Sequence, residues 1–327
     1  MAEPRSALAA EPPVRLPRFG PRPLSSVVEA VGRTPLLRLH GFEREEGLVA
    51  AGVELYAKLE FFNPGGSVKD RPALQMILDA RERGLLGSGK GILDSTSGNT
   101  GVAYAWIGAS LGVPVTLVMP ENVSTARKQI TRAFGAEIVF SDPLEGSDGA
   151  IRLARQLARE QADRYVYLDQ YSNESNPKAH FLGTGREIWQ ATQGRVTHFV
   201  AGVGTSGTVM GTGRRLKKEN PRVRVVGVEP DESFHGLEGL KHLGSSLVPA
   251  IYRGGDLDET LHLSTDEGWD VALRLGKKEG LLVGHSSGAA VAGALRIARR
   301  LRESGERGVV VTVLPDRADR YFERGRR

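Results

Sequence analysis

Gly91-Ile92-Leu93-Asp94-Ser95-Thr96-Ser97-Gly98-Asn99-Thr100-Gly101 is the stretch that decides the fold class. Gly91-Ile92-Leu93 is a short apolar strand, and the turn of hydroxyls and glycine behind it starts a helix. The apolar run from Gly101 to Pro120 nears membrane-spanning length, but Ser110, Gly112 and Pro114 interrupt it. It reads as a helix, a glycine stop and the buried strand Val115 to Val118. Strand, helix and strand in this order make a parallel unit with a crossover helix.

The alternation extends in both directions. Upstream, Pro35 to Leu39 and Val53 to Leu59 read as strands. Ala73, Met76, Ile77 and Ala80 share one face of a helix that runs from Lys69 to Gly84. Downstream come the helix Thr125 to Phe134, the strand Glu137 to Phe140 and the helix Gly149 to Glu160. A second series holds helices over Gly183 to Thr192, Val209 to Lys218, Asp266 to Glu279 and Ala289 to Leu301. Its strands are His198 to Ala201, Val223 to Val228, Leu281 to Val283 and Val309 to Leu314. A break over Asp163 to Asn176 is the expected hinge between the two series, and no internal repeat is visible. Strands alternating with helices predict an α/β protein whose mainly parallel sheets are covered on both faces.

With 327 residues the chain is long enough for two such domains. Hydrophobic residues at 40% and charged residues at 25% are a soluble globular balance. The absence of cysteine excludes disulfides, thiolate catalysis and Cys-ligated metal sites, and the cytoplasm is the expected compartment. Part of the net charge of +5 sits in Arg5, Arg15, Arg18 and Arg22 near the start and in Arg324, Arg326 and Arg327 at the finish. No basic patch is interleaved with aromatics, so no nucleic-acid partner is expected. Neither a membrane span nor a signal peptide is expected. Pro4, Pro12, Pro13, Pro17, Pro21 and Pro23 predict a flexible tail over residues 1–24.

Three glycine-rich turns each sit before a helix. In the first, Ser95 to Gly101, hydroxyls and free N–H groups at a helix N-terminus suit a carboxylate, although Ser, Thr and Asn are also ordinary helix caps. The second, Gly202-Val203-Gly204-Thr205-Ser206-Gly207-Thr208, is able to cradle a phosphate. Gly202, Gly204 and Gly207 also meet the dinucleotide pattern, and Glu229 ends the next strand as a ribose-binding acid would. A nicotinamide-dependent dehydrogenase is therefore a rival, and a tight turn without ligand is another. The third, Gly284-His285-Ser286-Ser287-Gly288, matches a hydrolase nucleophile elbow. That fold needs a histidine later in the chain, and all seven histidines (40, 180, 198, 235, 242, 262 and 285) precede Ser286.

Taken together with Asn63-Pro64-Gly65-Gly66-Ser67-Val68-Lys69-Asp70-Arg71, these turns resemble one family over nearly the whole chain after the tail. It is the cysteine synthase and cystathionine β-synthase group of fold-type II pyridoxal phosphate enzymes. The resemblance rests also on Ser286-Ser287-Gly288-Ala289-Ala290 and on Asp316 with Arg320-Tyr321. Gly183-Thr184-Gly185-Arg186-Glu187-Ile188-Trp189, Gly194 to Val200 and Asp316 to Tyr321 look closest to the cysteine synthase B branch. Ser206 stands where much of the family has glycine, and that branch carries a hydroxyl residue there.

The resemblance implies two doubly wound domains, tryptophan synthase β-like, with the cofactor in the cleft between them. Residues 25–67 plus 177–327 would form the larger cofactor-binding domain and 68–176 the smaller substrate-loop domain. Lys69 would be the Schiff-base lysine and then the general base, its pKa lowered in a desolvated site. Gly204, Thr205, Ser206, Gly207 and Thr208 would hold the phosphate, Asn99 the ring 3′ oxygen and Ser286 the ring nitrogen. Thr96, Ser97, Gly98, Thr100 and Gln170 would grip the substrate carboxylate.

The implied reaction is β-replacement on an O-activated L-serine, with O-acetylserine first. Sulfide or a related sulfur donor is the nucleophile and L-cysteine the product. The partners implied are the small-molecule amino acid, the sulfur donor and a second copy of the chain in a homodimer, with no metal. Lys241 lies where relatives that use O-phosphoserine carry arginine, so a substrate phosphate is an alternative, and the lysine head would meet it as a point charge. Cystathionine β-synthase activity, with homocysteine as nucleophile, is a further alternative.

Overall fold

The structure, a computed structural model, describes residues 23–320 with 88 and 97 left out. The tail expected over residues 1–24 therefore falls almost wholly outside the described residues, as do Ser97 and Tyr321.

Two sheets organise the chain. After β1 (Leu36–Arg38) come two short helices, α1 (His40–Glu45) and α2 (Leu48–Ala51), and then β2 (Val53–Leu59) and α3 (Asp70–Glu82). The next stretch is β3 (Gly91–Ser95), α4 (Asn99–Leu111), β4 (Val115–Pro120), α5 (Thr125–Ala133), β5 (Glu137–Ser141), α6 (Gly146–Glu160) and β6 (Tyr165–Tyr167). Then follow α7 (Ser175–Ala179), a π-helical turn (His180–Thr184), α8 (Gly185–Ala191), β7 (His198–Gly202), α9 (Gly207–Glu219) and β8 (Arg224–Pro230). The chain closes with β9 (Glu259–Leu263), α10 (Thr265–Glu279), α11 (His285–Ser304) and β10 (Gly308–Leu314).

One sheet has the order β1-β2-β10-β7-β8-β9, parallel except for the antiparallel edge strand β1; the other, β5-β4-β3-β6, is wholly parallel. Every residue of β10 is buried, as is every residue of β4. That explains their mostly apolar sequences, broken only by Thr312 and Thr116, because a strand covered by helices on both faces has no polar side to alternate with. In α4 the run Val102–Gly108 is buried all round, so the segment with membrane-like hydropathy is the central helix beside the second sheet. Among the described residues no helix is long and apolar enough to cross a membrane.

Three expectations change. Leu281–Val283 is not a strand: only Val283 makes an isolated bridge, to Arg317, and Leu282 is exposed. Confined between Gly280 and Gly284, these residues span from one helix to the next and meet no sheet edge. The break over 163–176 contains β6, which pairs with β3 through Gly91 and Tyr165, so part of the expected hinge belongs to the second sheet. Finally, α11 starts at His285 rather than Ala289, which puts Ser286 in a first helical turn instead of a strand-to-helix elbow.

The site lies where parallel sheets expose their carboxyl ends. The Lys69 segment follows β2, the Thr96 turn β3, Gln170 β6, the Gly204 turn β7 and Asp316 β10.

Candidate active site

Lys69 stands at the N-cap of α3, just after a turn anchored to the end of β10. Ser67 bridges to Asp316, the Val68 N–H donates to the Pro315 carbonyl at 2.8 Å, and the Val68 side chain packs with Val203 and Val209 under the turn after β7. The chain on either side of Lys69 is thus held, while among the described residues its ammonium makes no hydrogen bond or ion pair. Desolvation pushes the Lys69 pKa below the usual lysine range, and the nearby Asp316 carboxylate opposes it. Just beyond, Arg71 is buried between Glu60 and Glu187, at 2.6 and 2.7 Å, and locks the first turn of α3 to α8.

Asp316 is the hub of this side. It accepts from Asn99 Nδ2 at 2.6 Å, its carbonyl accepts from the Gly284 N–H, and its charge reaches both Lys69 and His285. Lys69, Asn99 and the first turn of α11, with the buried Ser286, are drawn together through it.

On the other side, the turn Gly204 to Thr208 opens α9, a helix long enough to present a strong positive N-terminus. Ser206 has a φ of 70°, the left-handed region that L side chains avoid, which is the physical reason glycine suits this position. Its hydroxyl is buried and has no hydrogen-bond partner. A Cβ on Gly204 would lie 2.1 Å from the Gly239 carbonyl, so only glycine lets the turn pass this close to the neighbouring loop. An orphaned buried hydroxyl at a helix N-terminus, a desolvated lysine without a hydrogen bond or ion pair among the described residues, and a neutral Ser286 hydroxyl fit a phosphorylated aldehyde cofactor.

The turn after β3 is bound internally. Thr96 Oγ1 accepts from the N–H groups of Gly98 and Gly101, both at 3.2 Å, and keeps its own O–H to give. Capping and anion binding are therefore compatible here. Thr100 Oγ1 donates to Gln170 Oε1, and Gln170 Nε2 donates to the Ser95 carbonyl, each at 2.8 Å. Gln170 thus holds the turn in shape rather than presenting a free amide. Beneath it, Asp94 accepts from the Tyr104 hydroxyl and the N–H groups of Ser95 and Gln170; burial pushes its pKa up to about 7 against these bonds.

Lys241 is almost buried. Its Nζ lies 3.2 Å from Asp148 Oδ1 and 5.2 Å from the centre of the Tyr171 ring, so its charge is matched within the protein. Glu229 is buried and accepts from the Leu243 N–H at 3.3 Å, and this burial counts against its use as the ribose-binding acid of the dinucleotide reading. Sequence reasoning did not single out Arg127, Asn176 or His180. Arg127 pairs with Glu238 at 2.7 Å and comes within 3.7 Å of the position a Cβ on Gly98 would take. It thus spans from α5 to the loop after β8, and no local motif marks it.

The chain is similar to known proteins over most of its length. The family of pyridoxal-phosphate dependent enzymes matches residues 27–316. A cysteine synthase of Aquifex aeolicus is 54% identical over 297 residues, covering 91% of this chain and 90% of that protein. Cysteine synthase B of Pseudomonas aeruginosa is 42% identical over 300 residues, covering 92% and 96%. Among solved structures, the cysteine synthase (OASS) of Entamoeba histolytica superposes with a TM-score of 0.87 at 35% identity, covering 95% of this chain and 92% of that one.

Proposed function

The chain belongs to the pyridoxal-phosphate dependent enzyme family, and from that premise we propose that it makes L-cysteine by β-replacement, with sulfide replacing the acetate of O-acetylserine. The observation that carries the reading is the Lys69 amine, without a hydrogen bond or ion pair among the described residues and close to the Asp316 carboxylate that holds Asn99, together with a helix N-terminus carrying an orphaned hydroxyl.

When bound, pyridoxal phosphate supplies the sink for the electron pair released at the substrate Cα. The Gly204 to Thr208 turn holds the phosphate, with α9 behind it. Asn99, its amide fixed by Asp316, would hold the ring oxygen, and Ser286 would hold the ring nitrogen. A hydroxyl does not force protonation of that nitrogen as a carboxylate would, which suits elimination over transamination. Desolvation pushes the Lys69 pKa down, which favours the neutral amine that would take the Cα proton. The Thr96 hydroxyl hydrogen and the N-terminus of α4 would orient the substrate carboxylate, with Gly98 before the helix and Thr100 in its first turn; Ser97, of the same sequence run, is proposed with them. The Arg127–Glu238 pair ties this side to the loop after β8.

The pairing of Lys241 with Asp148 favours O-acetylserine over O-phosphoserine, because a phosphate would have to displace a carboxylate already in place. The proposal includes residues 25–67 plus 177–327 as the cofactor-binding domain and 68–176 as the substrate-loop domain. It also includes a homodimer acting in the cytoplasm, which family membership and the lack of cysteine support.

The test is turnover of purified protein with sulfide and O-acetylserine, against O-phosphoserine and against homocysteine as nucleophile. Cysteine formation fastest with O-acetylserine and abolished by Lys69→Ala is expected. A preference for homocysteine, or turnover that survives Lys69→Ala, contradicts the proposal.

A further inference from the structure

Two glycines one turn apart on α9 have no room for a side chain. A Cβ on Gly207 would lie 1.9 Å from Asn176 Oδ1, and one on Gly211 2.0 Å from the Pro177 carbonyl and 2.9 Å from His180 Cβ. The segment Asn176 to Thr184 therefore lies directly against the start of α9. It reaches the phosphate turn at two places. Asn176 Nδ2 donates to Thr205 Oγ1 at 3.2 Å, and His180 Nε2 lies 3.4 Å from Thr208 Oγ1.

His180 has a second partner. Its Nδ1 is 2.9 Å from the hydroxyl of Thr184, four residues on, within the π-helical turn that the Gly185 N–H closes onto the His180 carbonyl. Both side chains are buried, at 1% and 0% exposure. Burial pushes the imidazole pKa down to about 3; Arg71 and Lys69 push the same way, and Glu60 and Glu187 oppose them. The ring is neutral, with one donor and one acceptor. If Thr184 gives its O–H to Nδ1, the ring hydrogen sits on Nε2 and points at the Thr208 oxygen. The Thr208 oxygen is then the acceptor of this bond, and its own hydrogen remains to be given outward.

Resting on the cofactor reading above, we propose that His180 is a positioning residue for the cofactor phosphate. It commits the Thr208 O–H toward the phosphate through a relay that runs from Thr184 to His180 to Thr208. Asn176 does the same for Thr205, donating to its oxygen and leaving its O–H free. A buried imidazole with no substrate to reach thus joins Asn176 in aiming two of the turn's hydroxyls from one short segment.

The experiment measures the dissociation constants of cofactor-free protein for pyridoxal phosphate and for pyridoxal, which lacks the phosphate. Replacing a hydrogen-bond partner of a group that binds a charge weakens binding by about tenfold. In His180→Leu that loss is expected for pyridoxal phosphate and not for pyridoxal, with a shift in the phosphorus resonance of the bound phosphate. His180→Gln, which keeps a donor, recovers most of the affinity. Thr184→Val leaves the imidazole in place and is expected to weaken pyridoxal phosphate severalfold. Equal weakening of both ligands in the two non-donor variants, or unchanged affinity for pyridoxal phosphate in Thr184→Val, overturns the proposal. If the unaltered protein takes up neither ligand, the cofactor reading itself is at fault, and the proposal goes with it.

Discussion

Asn99 Nδ2 donates to Asp316 Oδ2 at 2.6 Å, joining the first turn of α4 to the segment after β10 across 217 positions of sequence. The same carboxylate is the charge that opposes the desolvation of Lys69. One side chain therefore fixes the amide and partly offsets the desolvation that makes the neighbouring amine give up its proton.

Asp316→Asn keeps an acceptor for Asn99 and removes the charge. The Lys69 pKa then falls further, because only the neighbouring anion favours its protonated form. The rate at which cofactor-free protein takes up pyridoxal phosphate depends on the neutral amine, so its pH profile is expected to move to lower pH. A profile that stays put or moves upward counts against the coupling.

At Ser206 the φ of 70° and the orphaned hydroxyl pull in opposite directions. Relief of the left-handed backbone by Ser206→Gly is worth about 1 kcal/mol, or roughly 2 °C in Tm for a chain of this size. The cofactor-free variant is expected to melt higher while binding pyridoxal phosphate more weakly. Calorimetry with and without cofactor checks both, and a lower Tm without cofactor contradicts the argument.

Asp94 gives a stability prediction with a definite sign. Burial raises its folded pKa to about 7, above the ordinary carboxylate value. The protonated form is thus favoured in the folded state: its contribution is fully present at low pH, below the unfolded value, and is lost as pH rises through about 7. Asp94→Asn loses one acceptor at every pH, a constant offset, but removes that dependence. The Tm of the variant relative to the parent should be more favourable at pH 8 than at pH 5. The reverse trend refutes a raised Asp94.

Freeing Lys241 tests why the substrate carries acetate. Asp148→Asn removes the carboxylate that matches the lysine charge at 3.2 Å. Relative turnover of O-phosphoserine against O-acetylserine is expected to rise in this variant and to fall back when Lys241→Ala is added. An unchanged ratio in both means the lysine does not face the substrate.

Much of the site was legible because its parts are local. Glycines and hydroxyls between a strand and a helix mark the Thr96 and Gly204 turns, and Lys69 sits in a glycine-rich run at a helix start. The hub was not legible as such, since what makes Asp316 matter is its contact with residues far away in sequence. Asn176 and His180 lie in and just beyond the stretch read as a break, where β6 is only three residues long and α7 five. Their meaning comes from Gly207 and Gly211, whose missing side chains bring the two segments together. The unexpected strand β9 carries Glu259 and His262 at a sheet edge, so it lacks the apolar run that identified β10. Conversely, Leu281–Val283 has strand-like residues but no partner strand, and hydropathy alone does not distinguish the two.

The central claim is that Lys69 carries the cofactor, and reductive trapping tests it most directly. Borohydride treatment of the purified protein, followed by digestion and mass spectrometry, is expected to place one phosphopyridoxyl group on the peptide containing Lys69. The group on a different lysine, or a protein that takes up pyridoxal phosphate with no lysine modified, would contradict the account.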